Sequence, residues 1–309
     1  MEVVLDSEKK CNNLEPLDIN NISKINKYIK LRDVESCEYS LTTLFMWKNM
    51  YNPHLYIDEN FLIIFEHYEG ECYALMPLCK EKYFVESFNK AIDIFNELVE
   101  EFEMYCVDSQ YANVIKKSHG DRFDINADRN IADYIYSGEA LRKLSGKKLR
   151  KKKNHINAFK RNYEGLYEFK LLNTDHKLEI MEFLNEWCLQ HGDLSFHLQE
   201  EIDGISYILD HIDSLGSKIA GITIGGKLEA LSVGSLINKG REAVIHVEKA
   251  NQTIRGLYPF INQQFLLEVF PDVELVNRED DLGLEGLRKA KMSYEPLRLE
   301  EKYTLVPKN

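Results

Sequence analysis

The order of apolar patterns constrains the fold of this chain most, because one succession of helices and strands occurs twice. In the first half, two apolar helical patterns, around residues 22–29 and 41–47, precede short β-like runs over residues 54–77 and a helix with one apolar face over residues 83–102. In the second half, a strand at 167–172 and helices at 174–191 and 197–215 precede further strands. This alternation predicts an α+β protein with mixed sheets and flanking helices.

The length of 309 residues leaves room for two domains of ordinary size. We expect an N-terminal domain at residues 1–136, a basic linker helix at 137–163 and a C-terminal domain at 164–309. Within the last of these, the pair Gly225-Gly226 predicts a hairpin turn, because glycine adopts positive φ without steric cost. The halves therefore share an element order and flank one basic segment.

That basic segment interrupts an otherwise acidic chain. Residues 142–161 contain ten Lys or Arg and no acid, whereas the rest of the chain has 29 basic and 51 acidic residues. The apolar residues of the segment fall on one side of the predicted helix: Leu149, Ile156, Phe159 and Tyr163. Four cations on the remaining surface are predicted to bind phosphate: Lys147, Lys148, Arg150 and Lys151. The alternative is a solvated helix face without a ligand.

Composition excludes several other classes of protein. The net charge of −12 argues against a general nucleic-acid coat protein. The longest apolar run, residues 61–65, falls far short of the roughly 20 residues that span a bilayer, so we expect a cytoplasmic protein without a transmembrane segment. The six cysteines are scattered without a C-x-x-C pair, which favours buried thiols and predicts no metal.

Three stretches carry a resemblance to a known family: KLSGKKLRKKKNHINAF, then HVEKA with IRGLYPFINQQF, then NREDDLGLEGLRKAKMSYEP. They resemble a bacterial family related to the C-terminal domain of phosphatidylglycerol lysyltransferases, whose members look like tandem GNAT-type acyltransferases. The residue-level match lies mainly at 137–163 and 243–305, and the element order matches over nearly the whole chain. The resemblance implies two tandem GNAT-like domains joined by the basic helix.

The same resemblance implies an acyl- or aminoacyltransferase. The lysyltransferase domain moves an amino acid from aminoacyl-tRNA to a lipid headgroup, and the related Fem-type transferases add amino acids to peptidoglycan precursors. We therefore expect aminoacyl-tRNA as donor, tRNA as partner and an acceptor that the sequence does not identify. Two alternatives stay open: a conventional N-acyltransferase that uses acyl-CoA, and a non-catalytic protein that binds RNA or a phosphorylated metabolite.

The GNAT resemblance also implies a pyrophosphate-binding loop between a strand and a helix. Its candidate residues are Asn251, Gln252, Thr253, Ile254, Arg255 and Gly256. The usual loop reads Q/R-x-x-G-x-G/A, whereas this chain has Thr253 at the first position and Tyr258 at the last. Gly or Ala at the last position lets the pyrophosphate of acetyl-CoA approach the helix N-terminus closely. A tyrosine there obstructs this approach and favours a tRNA-type donor over acetyl-CoA.

The candidate catalytic groups lie near the predicted strand ends. Glu248 occupies the position where GNAT enzymes often place a general base, while Arg288 and Lys291 are predicted to hold an oxyanion or phosphate. The residues expected to contact substrate are His246, Lys289 and Tyr294. We predict that Glu248, Arg288 and Lys291 converge on one cleft. The alternatives are a solvent-facing pair or a satisfied buried network for Glu248 and His246, an amphipathic surface helix for the cations, and a core position for the tyrosine.

Overall fold

Helices are spread through both halves of the chain. The computed structural model describes residues 13–191 and 196–308. The α-helices of these residues are α1 (Ile22–Ile29), α2 (Leu41–Met46), α3 (Lys48–Tyr51), α4 (Phe84–Leu98), α5 (Ser109–His119), α6 (Gly138–Lys143), α7 (Arg150–Asn162), α8 (Lys177–His191), α9 (Phe196–Asp210), α10 (Ile212–Leu215), α11 (Leu257–Glu268) and α12 (Glu285–Met292).

The strands form two mixed sheets, which confirms the predicted α+β class. In chain order they are β1 (Glu15–Pro16), β2 (His54–Ile57), β3 (Phe61–Tyr68), β4 (Glu71–Leu75), β5 (Leu78–Cys79), β6 (Met104–Val107), β7 (Phe123–Ala127), β8 (Asp133–Ser137), β9 (Tyr167–Leu172), β10 (Lys218–Ile224), β11 (Lys227–Ile237), β12 (Glu242–Ala250), β13 (Leu275–Asn277), β14 (Arg298–Glu300) and β15 (Tyr303–Pro307).

The first compact unit comprises residues 13–36, 50–129 and 301–308 of the described chain. Its sheet has the order β1-β2-β3-β4-β6-β15-β7, and β5 pairs with β3. Strands β4 and β6 are parallel, whereas β15 lies antiparallel between β6 and β7. The strand nearest the end of the chain is therefore an interior strand of the first unit.

The second unit comprises Cys37–Asn49 and Asn130–Glu300. Its sheet has the order β14-β8-β13-β12-β11-β10-β9, in which only the pairing of β12 with β13 is parallel. Helix α2 packs on α9 at Gly204, where a Cβ atom would lie 2.2 Å from the carbonyl oxygen of Met46. The absence of a side chain at Gly204 permits this approach.

These units differ from the domain limits expected from the sequence, which were 1–136, 137–163 and 164–309. Strand β8 already belongs to the second sheet, and β15 returns to the first. Pairing between strands distant along the chain sets these memberships, and local apolar patterns do not reveal the partner of a strand.

The basic segment forms two helices, α6 and α7, separated by a turn at residues 144–149, rather than the single linker helix expected at 137–163, and its apolar side is buried in the second unit. Leu149, Ile156 and Phe159 are each less than 10% exposed, and the ring centroids of Phe159 and Phe260 lie 4.6 Å apart. A Cβ at Gly256 would lie 2.3 Å from the carbonyl oxygen of His155. Helix α7 therefore lies directly against the loop that leads into α11.

Candidate active site

The candidate site begins where two parallel strands stop pairing. Strand β12 pairs with β13 only through Glu242–Val244 opposite Leu275–Asn277. Beyond Val244, β12 continues to Ala250, while β13 ends at Asn277. Side chains from the later part of β12 and from the residue after β13 can therefore meet at this point.

Glu248 and Arg278 meet there in a buried ion pair. Nη2 of Arg278 lies 3.1 Å from Oε1 of Glu248, and each side chain is 11% exposed. Asn262 of α11 donates from Nδ2 to Oε2 of Glu248 at 2.7 Å. Both carboxylate oxygens of Glu248 thus accept a hydrogen bond from a buried donor.

Two tyrosines line the guanidinium of Arg278. Its Cζ lies 4.7 Å from the ring centroid of Tyr294 and 5.8 Å from that of Tyr136. Burial opposes the charge of Arg278, but the carboxylate of Glu248 favours it, and the pKa of the guanidinium is raised. Burial also raises the pKa of both tyrosines, so both phenols stay neutral near pH 7.

Lys152 of the basic helix reaches the same group of residues. Its Nζ lies 3.9 Å from the ring centroid of Tyr294. Burial lowers the pKa of Lys152 to about 8; the charge of Arg278 acts in the same direction and that of Glu248 opposes it. Lys152 therefore exchanges a proton closer to neutral pH than an exposed lysine does.

Two buried polar atoms at this site have no hydrogen-bond partner among the described residues: Nη1 of Arg278 and Oδ1 of Asn262. Buried polar atoms of folded proteins almost always have a partner. One of these atoms is a donor and the other an acceptor, and each belongs to a residue that binds Glu248. The site thus offers two unused hydrogen-bonding atoms of opposite kind.

Arg288 and Lys291 bind groups of the protein itself. Arg288 donates to both carboxylate oxygens of the fully buried Asp281, at 2.9 and 2.8 Å, and to Oδ1 of Asn130 at 2.9 Å. Lys291 donates to the carbonyl oxygen of Arg278 at 2.5 Å and to that of Asp280. Lys291 therefore lies beside the site and holds the backbone of Arg278, whereas Arg288 belongs to the cluster around Asp281.

His246 belongs to a buried network and Lys289 to an exposed pair. Nε2 of His246 lies 2.8 Å from Oγ of Ser235, and Nδ1 lies 2.9 Å from Oε1 of Glu279. This arrangement matches the satisfied buried network that the sequence left open as an alternative. Lys289 pairs with Glu285 at 2.6 Å, and both side chains are exposed.

The other predicted phosphate ligands lie in the turn before α7 and in its first turn. Lys147, Arg150 and Lys151 are exposed, and Lys148 forms an exposed ion pair with Glu295 at 2.6 Å. His155 lies one turn further along; burial lowers its pKa, and the charges of Arg255, Lys151 and Lys152 lower it further. Cations of α7 and of the loop after β12 therefore share one region.

The loop after β12 is closed by its own hydrogen bonds. Oδ1 of Asn251 accepts from the backbone N–H of Thr253 at 3.0 Å and from its hydroxyl at 2.7 Å. The N–H of Ile254 donates to the carbonyl oxygen of Asn251 at 3.2 Å. Gln252 and Arg255 are exposed, and Gly256 is buried beneath α7. Two N–H groups that a pyrophosphate would use thus already have partners.

Sequence reasoning did not select Lys152, Arg278 or Asn262. The signal for Asn262 was a polar residue on the apolar side of α11, and that for Arg278 was a charge directly after a strand.

Across residues 13–191 and 196–308, no helix is long and apolar enough to cross a membrane.

Comparison with solved structures defines the class of the fold as two tandem GNAT-like domains. A tandem GNAT protein from the clavulanic acid biosynthesis pathway, 11% identical, superposes with a TM-score of 0.52 over 96% of this chain and 100% of that one. L-PGS from Bacillus licheniformis, 16% identical, superposes with a TM-score of 0.66 over 93% of this chain and 92% of that one. A conserved protein of unknown function from Bacteroides thetaiotaomicron, 30% identical, superposes with a TM-score of 0.90 over 96% of this chain and 99% of that one.

The chain belongs to the family of the C-terminal domain of phosphatidylglycerol lysyltransferase, whose sequence pattern matches residues 30–306. This confirms the resemblance seen in the sequence. An uncharacterised protein of Mycoplasmoides gallisepticum is 26% identical over 171 residues, which are 55% of this chain. The match spans 54% of that relative, about half its length.

Proposed function

We propose that this protein transfers the aminoacyl group of an aminoacyl-tRNA to a nucleophilic acceptor at the site around Arg278 and Lys152. The observation that carries the proposal is that a buried guanidinium, from the strand end, and a lysine of reduced pKa, from the basic helix, both lie against the ring of Tyr294. The family and the fold are those of aminoacyltransferases related to lysylphosphatidylglycerol synthesis, which supports this class of reaction.

The reaction is an acyl transfer from an ester. The acceptor amine or hydroxyl attacks the ester carbonyl carbon, and the carbonyl oxygen becomes an oxyanion. The bond to the terminal ribose oxygen of the tRNA then breaks, and that oxygen takes up a proton. Arg278 stabilises the oxyanion, since a fixed cation in a buried site acts strongly on developing charge.

Lys152 carries the proton in this proposal. A group with a pKa of about 8 is suited both to take a proton from the acceptor and to return it to the leaving ribose oxygen. Glu248 was the base expected from the sequence, but both its oxygens accept hydrogen bonds from Arg278 and Asn262. We therefore assign Glu248 a positioning role toward Arg278.

The cations in the turn before α7 and at its start provide a surface for the phosphates of tRNA. Lys147, in the turn, and Arg150 and Lys151, in α7, are exposed, and α7 also carries Lys152 into the site. Phosphates of the acceptor strand that bind along this surface would lead the esterified end of the tRNA toward Arg278. Such contacts position a nucleic acid without reading its sequence.

The test follows a labelled amino acid from tRNA to product. Total aminoacyl-tRNA with a radiolabelled amino acid is mixed with the protein and with a lipid or small-molecule extract as acceptor source. We expect Lys152→Met and Lys152→Arg each to reduce transfer at least 100-fold, because arginine keeps the charge but does not release its proton. The matched control is Lys153→Met at the exposed neighbouring position.

Two results would overturn the proposal. If wild-type protein leaves the label on tRNA with every extract but binds the tRNA, the non-catalytic alternative is favoured. If Lys152→Met transfers as well as wild type, the proton is carried elsewhere.

A further inference from the structure

The unpartnered atoms around Glu248 indicate which chemical group the site recognises. We infer that Oδ1 of Asn262 and Nη1 of Arg278 together bind an α-amino acyl group, the amide oxygen accepting from its ammonium and the guanidinium donating to its carbonyl oxygen. This inference rests on the proposed function and assigns the residues that distinguish an aminoacyl donor from a simple acyl donor.

Both residues use one end to hold Glu248 and leave the other unused. Asn262 binds Oε2 through Nδ2, and Arg278 binds Oε1 through Nη2. The partnerless atoms are Oδ1 of Asn262 and Nη1 of Arg278. A single carboxylate thus fixes an acceptor and a donor on its two sides.

The orientation of the Asn262 amide follows from its partner. The atom 2.7 Å from a carboxylate oxygen must be the NH₂ group, because two oxygen acceptors at that distance would repel each other. Since Asn262 is 1% exposed, its remaining oxygen is a buried acceptor. A buried acceptor without a donor is unfavourable, and a bound ammonium would supply the missing donor.

The surroundings already accommodate a primary ammonium. Nζ of Lys152 lies over the ring of Tyr294 at 3.9 Å, and that ring also contacts Arg278. The faces of Tyr136 and Tyr294 stabilise nearby cations further.

An acetyl group satisfies only half of this arrangement. Its carbonyl oxygen can accept from Arg278, but it has no donor for Oδ1 of Asn262. A site with an unused buried hydrogen-bonding atom rejects ligands that leave the atom unpaired, often by large factors. Recognition of the ammonium therefore selects aminoacyl over acetyl groups.

The test uses small probes that carry parts of the aminoacyl group. Alaninamide and lysinamide contain both the ammonium and the carbonyl, propionamide lacks the ammonium, and isopropylamine lacks the carbonyl. We expect calorimetry or NMR titration of the wild-type protein to show at least tenfold tighter binding of one of the amino acid amides than of propionamide and isopropylamine. Asn262→Leu should abolish the preference over propionamide, and Arg278→Lys should weaken the preference over isopropylamine.

Each outcome decides the inference separately from the proposed function. If wild-type protein binds propionamide as tightly as the amino acid amides, the inference fails even if tRNA-dependent transfer is observed. If the amides are preferred but no transfer occurs, the inference stands and the proposed function fails. The wild-type comparison needs no variant, and circular dichroism with polyanion affinity verifies that each variant is folded.

Discussion

Oε1 of Glu248 lies 3.1 Å from Nη2 of Arg278, and this contact joins β12 to the residue that follows β13 beyond the point where the strands stop pairing. The ion pair is therefore both part of the proposed site and a structural connection across it. Lys291 supports it by binding the carbonyl oxygen of Arg278. Substitutions here should change stability as well as activity.

Arg278→Met should lower the free energy of unfolding by about 3–5 kcal/mol, because it leaves Glu248 buried without its charged partner. The double variant with Glu248→Gln should recover part of the loss. Arg241→Met is the control, since the pair of Arg241 with Glu274 is exposed and should contribute less than about 1 kcal/mol. Equal losses for Arg278→Met and Arg241→Met in denaturant titrations would contradict the prediction.

Lys152 should make stability depend on pH in the alkaline range. Its pKa is about 8 in the folded protein against an ordinary value of 10.5, so the unfolded chain binds more protons between these values. The contribution of Lys152 to stability therefore rises as pH increases through this interval. Lys152→Met should remove that rise and Lys153→Met should preserve it, as measured by urea unfolding from pH 7 to pH 10. Parallel profiles for both variants would mean that Lys152 titrates normally.

The start of α7 and the turn before it should bind polyanions in a salt-dependent way. Each phosphate neutralised on a single strand should contribute about −0.7 to the slope of log K against log salt concentration. Replacing Lys147, Lys148, Arg150 and Lys151 by Gln should weaken tRNA binding and flatten the slope. A variant with the same charge change at exposed lysines of the first unit, namely Lys80, Lys82, Lys116 and Lys117, is the control. If both variants lose affinity equally, the basic helix is a solvated face.

Gly256→Ala should be more destabilising than Gly146→Ala. The two glycines have nearly the same φ, +90° and +89°, but only at Gly256 would a Cβ meet a neighbouring backbone. The backbone strain should cost about 1–2 kcal/mol at both positions. The clash with His155 should add about 1–3 kcal/mol at Gly256. Thermal and denaturant unfolding measure this difference, and equal effects would show that α7 does not press on the loop.

Acetyl-CoA should bind weakly or not at all. The N–H groups of Thr253 and Ile254 are engaged by Asn251, and Tyr258 occupies the position of a small residue. Isothermal titration calorimetry checks this directly. A micromolar dissociation constant, about −8 kcal/mol, would favour the conventional acyl-CoA-dependent alternative.

The sequence predicted the parts of the fold that depend on local pattern. Leu149, Ile156 and Phe159 marked the buried side of α7 because helical spacing exposes such a side directly. Membership of the two sheets was not predictable in this way. Strand β15 follows the second unit along the chain but belongs to the sheet of the first unit. The segment Cys37–Asn49 lies between two parts of the first unit along the chain but belongs to the second unit.

The site was predicted only in part, for a related reason. Glu248 could be chosen because it lies near a strand end, but its partner Arg278 is 30 residues away. Lys152 was concealed among nine other cations, and only its half-buried position distinguishes it from Lys151 and Lys153. Arg288 looked available in the sequence, whereas the buried carboxylate of Asp281 binds it in the structure.

The interior position of β15 affects the order of events during synthesis. A ribosome makes residues 13–129 first, but the sheet of that unit lacks the strand between β6 and β7 until Tyr303–Pro307 emerge. Meanwhile β6 and β7 each present an unpaired edge to other chains, which is a recognised route to aggregation. The sheet of the first unit is thus completed only after residues 130–300 of the second unit have been made, and its open edges have to be kept from aberrant pairing until then.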